Sequence, residues 1–114
     1  MIQIKRAYEK PAAADGYRVL VDRLWPRGVT KEAAALDEWA KEVAPSDGLR
    51  KELHGHSDRW REFRERYWEE LDGKGDLVEG LRQRAAGGTL TLVYAARDVE
   101  RNNAVALREY LERG

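Results

Sequence analysis

Charged and aromatic side chains follow an aliphatic run early in this sequence, and they are the residues best suited to chemistry. Asp22, Arg23, Trp25 and Arg27 come directly after the apolar residues 19–21. Arginine guanidinium groups bind phosphate or carboxylate through paired hydrogen bonds, and Asp22 could orient them or accept a proton. The cluster therefore indicates an anion-binding site. The alternative is an Asp-Arg lattice that only holds the loop, because arginines beside a buried strand need partners on grounds of burial alone.

A second polar group follows the apolar run at 89–95, where a helix is predicted to begin. It consists of Arg97, Asp98 and Asn102. A helix start directs free N–H groups and the positive end of the helix dipole at the preceding loop, which favours an anion there. Asp98 could instead be a simple helix cap or turn former. Arg97 would complement the first arginine cluster if the two strands are neighbours, and we predict that they are.

Three further residues are candidates for binding or proton transfer. Arg6 lies at the end of a predicted first strand, on its apolar face, as an ion-pair partner or a ligand contact. His56 titrates near neutral pH and Tyr94 follows the second apolar run, so either could move a proton together with Asp22. His56 could equally serve only at the start of the long helix. Trp25 and Trp39 could stack on a base or sugar, although such residues more often belong to the core.

Several chemistries are disfavoured by composition and spacing. The chain has no cysteine, and its two histidines at 54 and 56 lack a nearby carboxylate pair, so we predict no metal site. Gly87-Gly88 lacks the spacing of a phosphate-binding loop, and there is no GxSxG motif. The sequence leaves the cofactor unknown and leaves open whether the protein is an enzyme.

The secondary-structure pattern predicts how these residues are positioned. Strands are expected at about 2–7, 18–24 and 89–95, with a short one at 37–41, and helices at about 31–36, 47–53, 58–72, 76–86 and 102–112. Asp76 and Glu79 resemble a capping box, with Leu77 facing inward. Helices between strands allow parallel pairing through right-handed crossovers. We therefore predict a single α/β domain over 1–114, a small three-layer sandwich with a mostly parallel sheet and flanking helices.

Net charge, the length of apolar stretches and the lack of cysteine limit the partners and the cellular location that we expect. The 114 residues include 21 Lys and Arg against 21 Asp and Glu, so net charge does not indicate nucleic acid or an acidic membrane as partner. No apolar stretch approaches the roughly 18 residues of a membrane span. The chain begins with strand-like alternation instead of a secretory signal, and it lacks cysteine, so we expect a cytoplasmic protein without a membrane partner.

Nearly the whole chain resembles one family in order. The matching segments are GYRVLVDRLWPRG, WAKEVAPS with Leu49-Arg50 after it, Gly55-His56, the aromatic residues Trp60, Phe63 and Tyr67, and TLVYAARD followed by Asn102 and Ala104. They are similar to the YeaO-like branch of the "domain of unknown function 488" family. The resemblance implies a compact prokaryotic α/β domain of uncharacterised function. Asn103 departs from the family pattern, which often has His or Gln there, and this argues against proton transfer at that position.

Three functional hypotheses follow. The favoured one is a protein that binds a small anionic ligand, such as a nucleotide or phosphorylated metabolite, at an arginine-rich site on the carboxyl edge of its sheet, with or without catalysis. The second is a nucleic-acid-binding or regulatory module that uses the arginines and tryptophans. The third is a protein-interaction domain that presents the apolar face of the helix at 60–71. The oligomeric state is not determined by the sequence.

Overall fold

The protein is an α/β domain built on a four-stranded sheet in which every pair is parallel. The computed structural model describes residues 1–53 and 57–113. Its strands are β1 (Ile2–Arg6), β2 (Tyr17–Leu20), β3 (Glu38–Trp39) and β4 (Leu90–Tyr94), and its helices are α1 (Lys31–Ala34), α2 (Asp47–Leu53), α3 (Trp60–Asp72), α4 (Gly75–Ala86) and α5 (Asn103–Arg113). The predicted fold class is confirmed, including the short strand β3. Among the described residues, none of the helices has the length and apolar character needed to cross a bilayer.

Strand β4 is the centre of the sheet, whose order is β1-β4-β2-β3. It pairs with β1 through Ile4 opposite Leu92 and with β2 through Val19 opposite the same residue. All five residues of β4 are buried, as expected for a parallel strand covered on both faces. The predicted adjacency of the two strands that precede the polar clusters is therefore confirmed.

One face of the sheet, here called the helical face, packs against α3, α4 and α5. Phe63, Tyr67 and Leu71 recur along α3 at helical spacing and are buried against this face. Each such side chain contributes roughly 1.5–3 kcal/mol when buried. The predicted apolar stripe is confirmed, but these three residues form the core of this chain and cannot be offered to a partner.

The opposite face, here called the thin face, has a much lighter cover. Its small core of Ala7, Leu20 and Val93 packs against Leu36 and the two tryptophans Trp25 and Trp39. The cover consists of α1, a single turn of helix, and the loops on either side of it. The third layer of the sandwich is therefore formed by one short helix and by loop residues.

The connection between β1 and β2 holds a buried polar network. Asp15 Oδ2 lies 2.6 Å from Arg18 Nη1 and 3.1 Å from Lys5 Nζ. The backbone carbonyl of Asp15 accepts a hydrogen bond from Thr91 Oγ1 at 2.7 Å, and Arg18 Nη2 donates to Ala34 O at 2.8 Å. This connection therefore joins β1, β2 and β4 through Asp15, and α1 through Arg18.

Several predicted boundaries were wrong for local reasons. The capping box at Asp76 and Glu79 does not form, because α4 already begins at Gly75 and its N-cap, Lys74, makes no side-chain cap bond. Leu77 is 40% exposed instead of facing inward. Helix α1 ends at Ala34 because Ala35 adopts a left-handed conformation with φ of 46°. Strand β2 ends at Leu20 instead of at about residue 24, so Asp22 and Arg23 lie in the loop after the strand.

Candidate anion-binding site

The carboxyl ends of the parallel strands place three loops at one edge of the sheet. This carboxyl rim consists of residues 6–9, 21–29 and 95–103, where open α/β sheets commonly bind ligands. Tyr8 Oη donates to Arg27 O at 3.0 Å, which ties the first segment to the second. The Ala95 N–H donates to Asp22 Oδ2 at 2.9 Å, which ties the second segment to the third. The two sequence clusters therefore lie on one connected rim.

Asp22 is the residue that joins the parts of this rim. Its carboxylate accepts hydrogen bonds from Asn103 Nδ2 at 2.9 Å and from the Ala95 N–H, while its carbonyl accepts one from Trp39 Nε1 at 2.8 Å. Burial raises the pKa of Asp22, and the hydrogen bonds from Asn103 and Ala95 offset only part of this effect. Asp22 is thus a junction between β2, β4 and α5. The contribution of Asn103 was missed by sequence reasoning, which considered it only for proton transfer.

Arg23 is the rim arginine with the most unusual surroundings. Its Nε is buried and has no hydrogen-bond partner within the part of the chain that the structure describes. The nearest carboxylate oxygen, Asp47 Oδ1, lies 3.8 Å away and is shared with Arg50 Nη2 at the same distance. Burial lowers the pKa of Lys74, the Glu70 carboxylate opposes this effect, and the positive charge of Arg23 adds to it. Cations and carboxylates therefore lie together where β2 leaves the sheet.

The other rim arginines differ in how they are used. Arg6 donates through Nε to Ala96 O at 2.9 Å and through Nη2 to Ala95 O at 3.2 Å, and its guanidinium lies over the ring of Tyr8. It braces the end of β4. Arg27 and Arg97 are exposed at the rim. Arg23 and Arg27 therefore follow β2, Arg97 follows the neighbouring β4, and all three lie at the same edge of the sheet. Arg6 is hydrogen-bonded to backbone carbonyls.

The polar residues after β4 organise the start of α5. Asp98 Oδ1 accepts hydrogen bonds from the Glu100 and Arg101 N–H groups at 2.9 and 3.0 Å. Asn102 is buried, accepts from the Val105 N–H at 2.9 Å as the helix cap, and donates to Asp98 O at 2.8 Å. These contacts match the interpretation of Asp98 as a turn former. Burial and the Glu9 carboxylate raise the pKa of Tyr94, so its hydroxyl stays protonated near neutral pH.

The tryptophans of the site pack against each other. Trp25 and Trp39 meet edge to face with ring centroids 5.4 Å apart, and Trp25 Nε1 donates to Val29 O at 2.6 Å. Lys41 Nζ lies 4.4 Å from the ring centroid of Trp39. Both indoles are therefore engaged in packing. His56, the remaining candidate for proton transfer, lies outside the described residues.

Two surface grooves lie away from the rim arginines. One, of about 410 Å³, is lined by β3 and α4, and the other, of about 320 Å³, by residues of the thin face. Neither groove includes Arg6, Arg23, Arg27 or Arg97. The described residues hold no group of three His, Cys, Asp or Glu side chains that could bind a metal ion.

Fold and rim together define a small all-parallel α/β domain with an arginine-bearing carboxyl edge. A family model described as "Inactive DUF488-N3 subclade" matches residues 1–114, and the chain belongs to this family. It is 46% identical over 110 residues to the uncharacterized protein YeaO of Escherichia coli K12, covering 96% of both chains. It is 41% identical to the uncharacterized proteins Rv3073c of Mycobacterium tuberculosis H37Rv and Mb3100c of Mycobacterium bovis, covering 96% of this chain and 92% of each of theirs. No solved structure matches the chain. The family resemblance seen in the sequence is confirmed.

Proposed function

We propose that this protein is a binding module, without catalytic activity, for a small anionic ligand such as a nucleotide or phosphorylated metabolite. The ligand's phosphate or carboxylate group would sit at the carboxyl rim. The observation that carries the proposal is Arg23, whose Nε is buried beside the end of β2 without a hydrogen-bond partner among the described residues. Solvent does not reach Nε itself, but the Arg23 side chain is 33% exposed, so its terminal N–H groups can bind an anionic oxygen at the rim.

The arrangement of the strands supports a composite site. Because β2 and β4 are parallel neighbours, Arg23 and Arg27 on one loop and Arg97 on the other leave the sheet at the same edge. Arg27 and Arg97 are exposed and can move toward a ligand. Asp47, at 3.8 Å from Arg23, is too distant to form a good hydrogen bond and leaves the guanidinium available.

Three features argue against catalysis at this rim. The family to which the chain belongs is described as inactive. The Asp22 carboxylate already accepts two hydrogen bonds, from Asn103 and Ala95, which makes it a structural group. The raised pKa of the buried Tyr94 keeps that hydroxyl protonated near neutral pH, which disfavours it as a general base. Binding is the activity that the remaining arginines support best.

The proposal can be tested by thermal denaturation with pyrophosphate and nucleoside diphosphates. A ligand present at about 100 times its Kd adds roughly 2.7 kcal/mol of stability, which raises Tm by about 8–16 °C in a domain of this size. The Arg23→Ala and Arg97→Ala variants should lose most of that shift. Arg61→Ala is the matched control, because Arg61 lies on α3 with its side chain 86% exposed and pairs with Glu65.

Two outcomes would contradict this function. One is the absence of a thermal shift with every phosphate tested at about 10 mM, a concentration that reveals even weak sites. The other is an unchanged shift in both rim variants. Salt-sensitive binding to a single-stranded oligonucleotide, lost in the same variants, would favour a nucleic-acid-binding module instead.

A further inference from the structure

Strand β3 lies at an open edge of the sheet. The order β1-β4-β2-β3 leaves it with β2 as its strand partner, and within the described residues no strand pairs with its other side. A strand paired on one side leaves alternate N–H and C=O groups without a strand partner. Those groups are a template for an additional strand.

Each face of this edge has a groove. Glu38 points to the helical face, where its Oε1 accepts a hydrogen bond from Tyr17 Oη at 3.0 Å, and there it lines the groove beside α4. Trp39 points to the thin face, where it lines the other groove with Trp25 and Leu36. The α4 groove has an open floor at Gly80, since an added Cβ would meet no atom within 4 Å. One short edge strand thus has a groove above it and a groove below it.

We propose that the free edge of β3 binds an extended segment of a partner protein by strand addition, with alternate side chains of that segment entering the two grooves. Successive side chains of a strand point to opposite faces, so a segment lying beside β3 would supply both grooves at once. Its backbone would provide affinity, and the two grooves would provide sequence preference. This edge is separate from the rim arginines, so the inference does not rest on the anion site.

The two grooves select different side chains. The thin-face groove, of about 320 Å³, is lined by Trp25, Leu36 and Trp39 together with Lys31, Asp37 and Glu38, and an apolar side chain would pack there against the two indoles. The α4 groove contains the carboxylates of Glu38 and Asp76, while the guanidinium of Arg84 is stacked over the Tyr17 ring at 4.1 Å from its centroid. Two carboxylates against one guanidinium leave this groove with a net negative charge, which favours a basic side chain. The partner segment therefore alternates apolar and basic residues.

The test uses an acetylated and amidated peptide with the sequence Arg-Val-Arg-Val-Arg-Val and ¹⁵N-labelled full-length protein. Titration should shift the backbone amide signals of residues 37–40 and the indole N–H signals of Trp25 and Trp39, with a Kd of about 0.1–1 mM. Two further peptides carry N-methyl groups, on the valines in one and on the arginines in the other. One of them should lose binding and the other keep it, because the N–H groups facing β3 belong to alternate residues.

A charge reversal separates this site from non-specific attraction. Asp76→Arg should weaken binding of the peptide about tenfold, and Glu112→Arg, which makes the same change at the exposed end of α5, should leave it unchanged. The proposal is wrong if residues 37–40 do not shift at about 2 mM peptide, if both methylated peptides bind equally, or if the two charge variants behave alike. Concentration-dependent shifts of residues 37–40 without peptide would assign the edge to a second copy and overturn the proposed partner.

Discussion

Two aspartates close to the sheet show how the immediate neighbours of a carboxylate determine its protonation. Burial opposes ionisation of Asp15, but hydrogen bonds from the Ala12 N–H, Lys5 and Arg18 outweigh it and hold the pKa below its ordinary value. Asp22 receives hydrogen bonds from neutral donors, Asn103 and the Ala95 N–H, so burial prevails and raises its pKa. The difference arises from the two cations that contact Asp15 directly.

Replacing Asp22 with asparagine should change the pH dependence of folding. The unfolded chain has an Asp pKa of about 3.9, and the folded value is higher, so the stability contributed by the bound proton is present below about pH 4 and is lost as pH rises through the folded pKa. An asparagine side chain at this position cannot titrate. The free energy of unfolding of the wild type, measured by urea denaturation and compared with that of Asp22→Asn, should therefore fall as pH rises above about 4. A difference that stays constant with pH would contradict the raised pKa.

Replacing Asp15 with asparagine should destabilise the protein strongly at about pH 7. The side chains of Asp15 and Arg18 are 5% and 4% exposed, and removing one partner of a buried ion pair costs about 3–5 kcal/mol because the other charge is left uncompensated. Since the pKa of Asp15 is lowered, its contribution is lost as pH falls through the folded pKa, and the penalty should shrink below about pH 4. Urea denaturation of Asp15→Asn measures both effects. Glu112→Gln is the exposed control, and a penalty equal to that control would contradict the network's role.

At the scale of elements, the sequence predicted what periodicity encodes and missed what tertiary contacts decide. The apolar runs at β2 and β4 and the stripe of Phe63, Tyr67 and Leu71 have clear periods, so the strands and α3 were correctly placed. Thr30 and Ser46 cap α1 and α2, since the Ala33 N–H donates to Thr30 Oγ1 and the Leu49 N–H to Ser46 Oγ. The predicted capping box of Asp76 and Glu79 was wrong, because α4 begins at Gly75 and its N-cap, Lys74, makes no side-chain cap bond.

The start of β2 depends on a glycine whose role can be tested by substitution. Gly16 has φ of 62°, and a Cβ there would lie 2.3 Å from Thr89 O, which accepts the Tyr17 N–H at 3.0 Å and cannot shift without breaking the β2–β4 ladder. Gly16→Ala should lower the unfolding free energy by about 2 kcal/mol or more.

Gly80→Ala is the matched comparison for that substitution. Gly80 lies inside α4 with no atom within 4 Å of an added Cβ, so alanine there should raise stability by roughly 0.5–1 kcal/mol. Thermal denaturation of the two variants should therefore give Tm changes of opposite sign. Equal decreases in Tm for both variants would mean that the close approach of the Gly16 backbone to Thr89 is not what makes Gly16→Ala destabilising.

At the scale of the whole molecule, the order of the strands could be predicted from the sequence, but contacts between residues far apart in the chain could not. Sequence reasoning placed Arg23 and Arg97 on neighbouring strand ends correctly, because parallel neighbours share an edge. It could not foresee that Arg6 would be used by the carbonyls of Ala95 and Ala96, since nothing local indicates a contact between residues about 90 positions apart. The polar network of the thin face was missed for the same reason. The signal available in the sequence was Arg18, a charged residue inside a predicted strand and three residues after Asp15, with which it forms a buried ion pair.

The unequal cover of the sheet predicts unequal local stability. Strand β4 is buried throughout and pairs on both sides, whereas β3 has two residues at the edge and α1 is a single turn. Backbone amides with few buried neighbours open locally, while those in the centre open only on global unfolding. In native-state hydrogen exchange, the amides of Leu92 and Val93 should therefore exchange with the global unfolding free energy, and those of Trp39 and Ala34 with a much smaller one. As urea is added, the opening free energies of the two groups of amides should become equal only near the unfolding midpoint. Equal protection of β3 and β4 in the absence of urea would mean that the thin layer unfolds with the core, and that the edge is too rigid to accept a further strand by local adjustment.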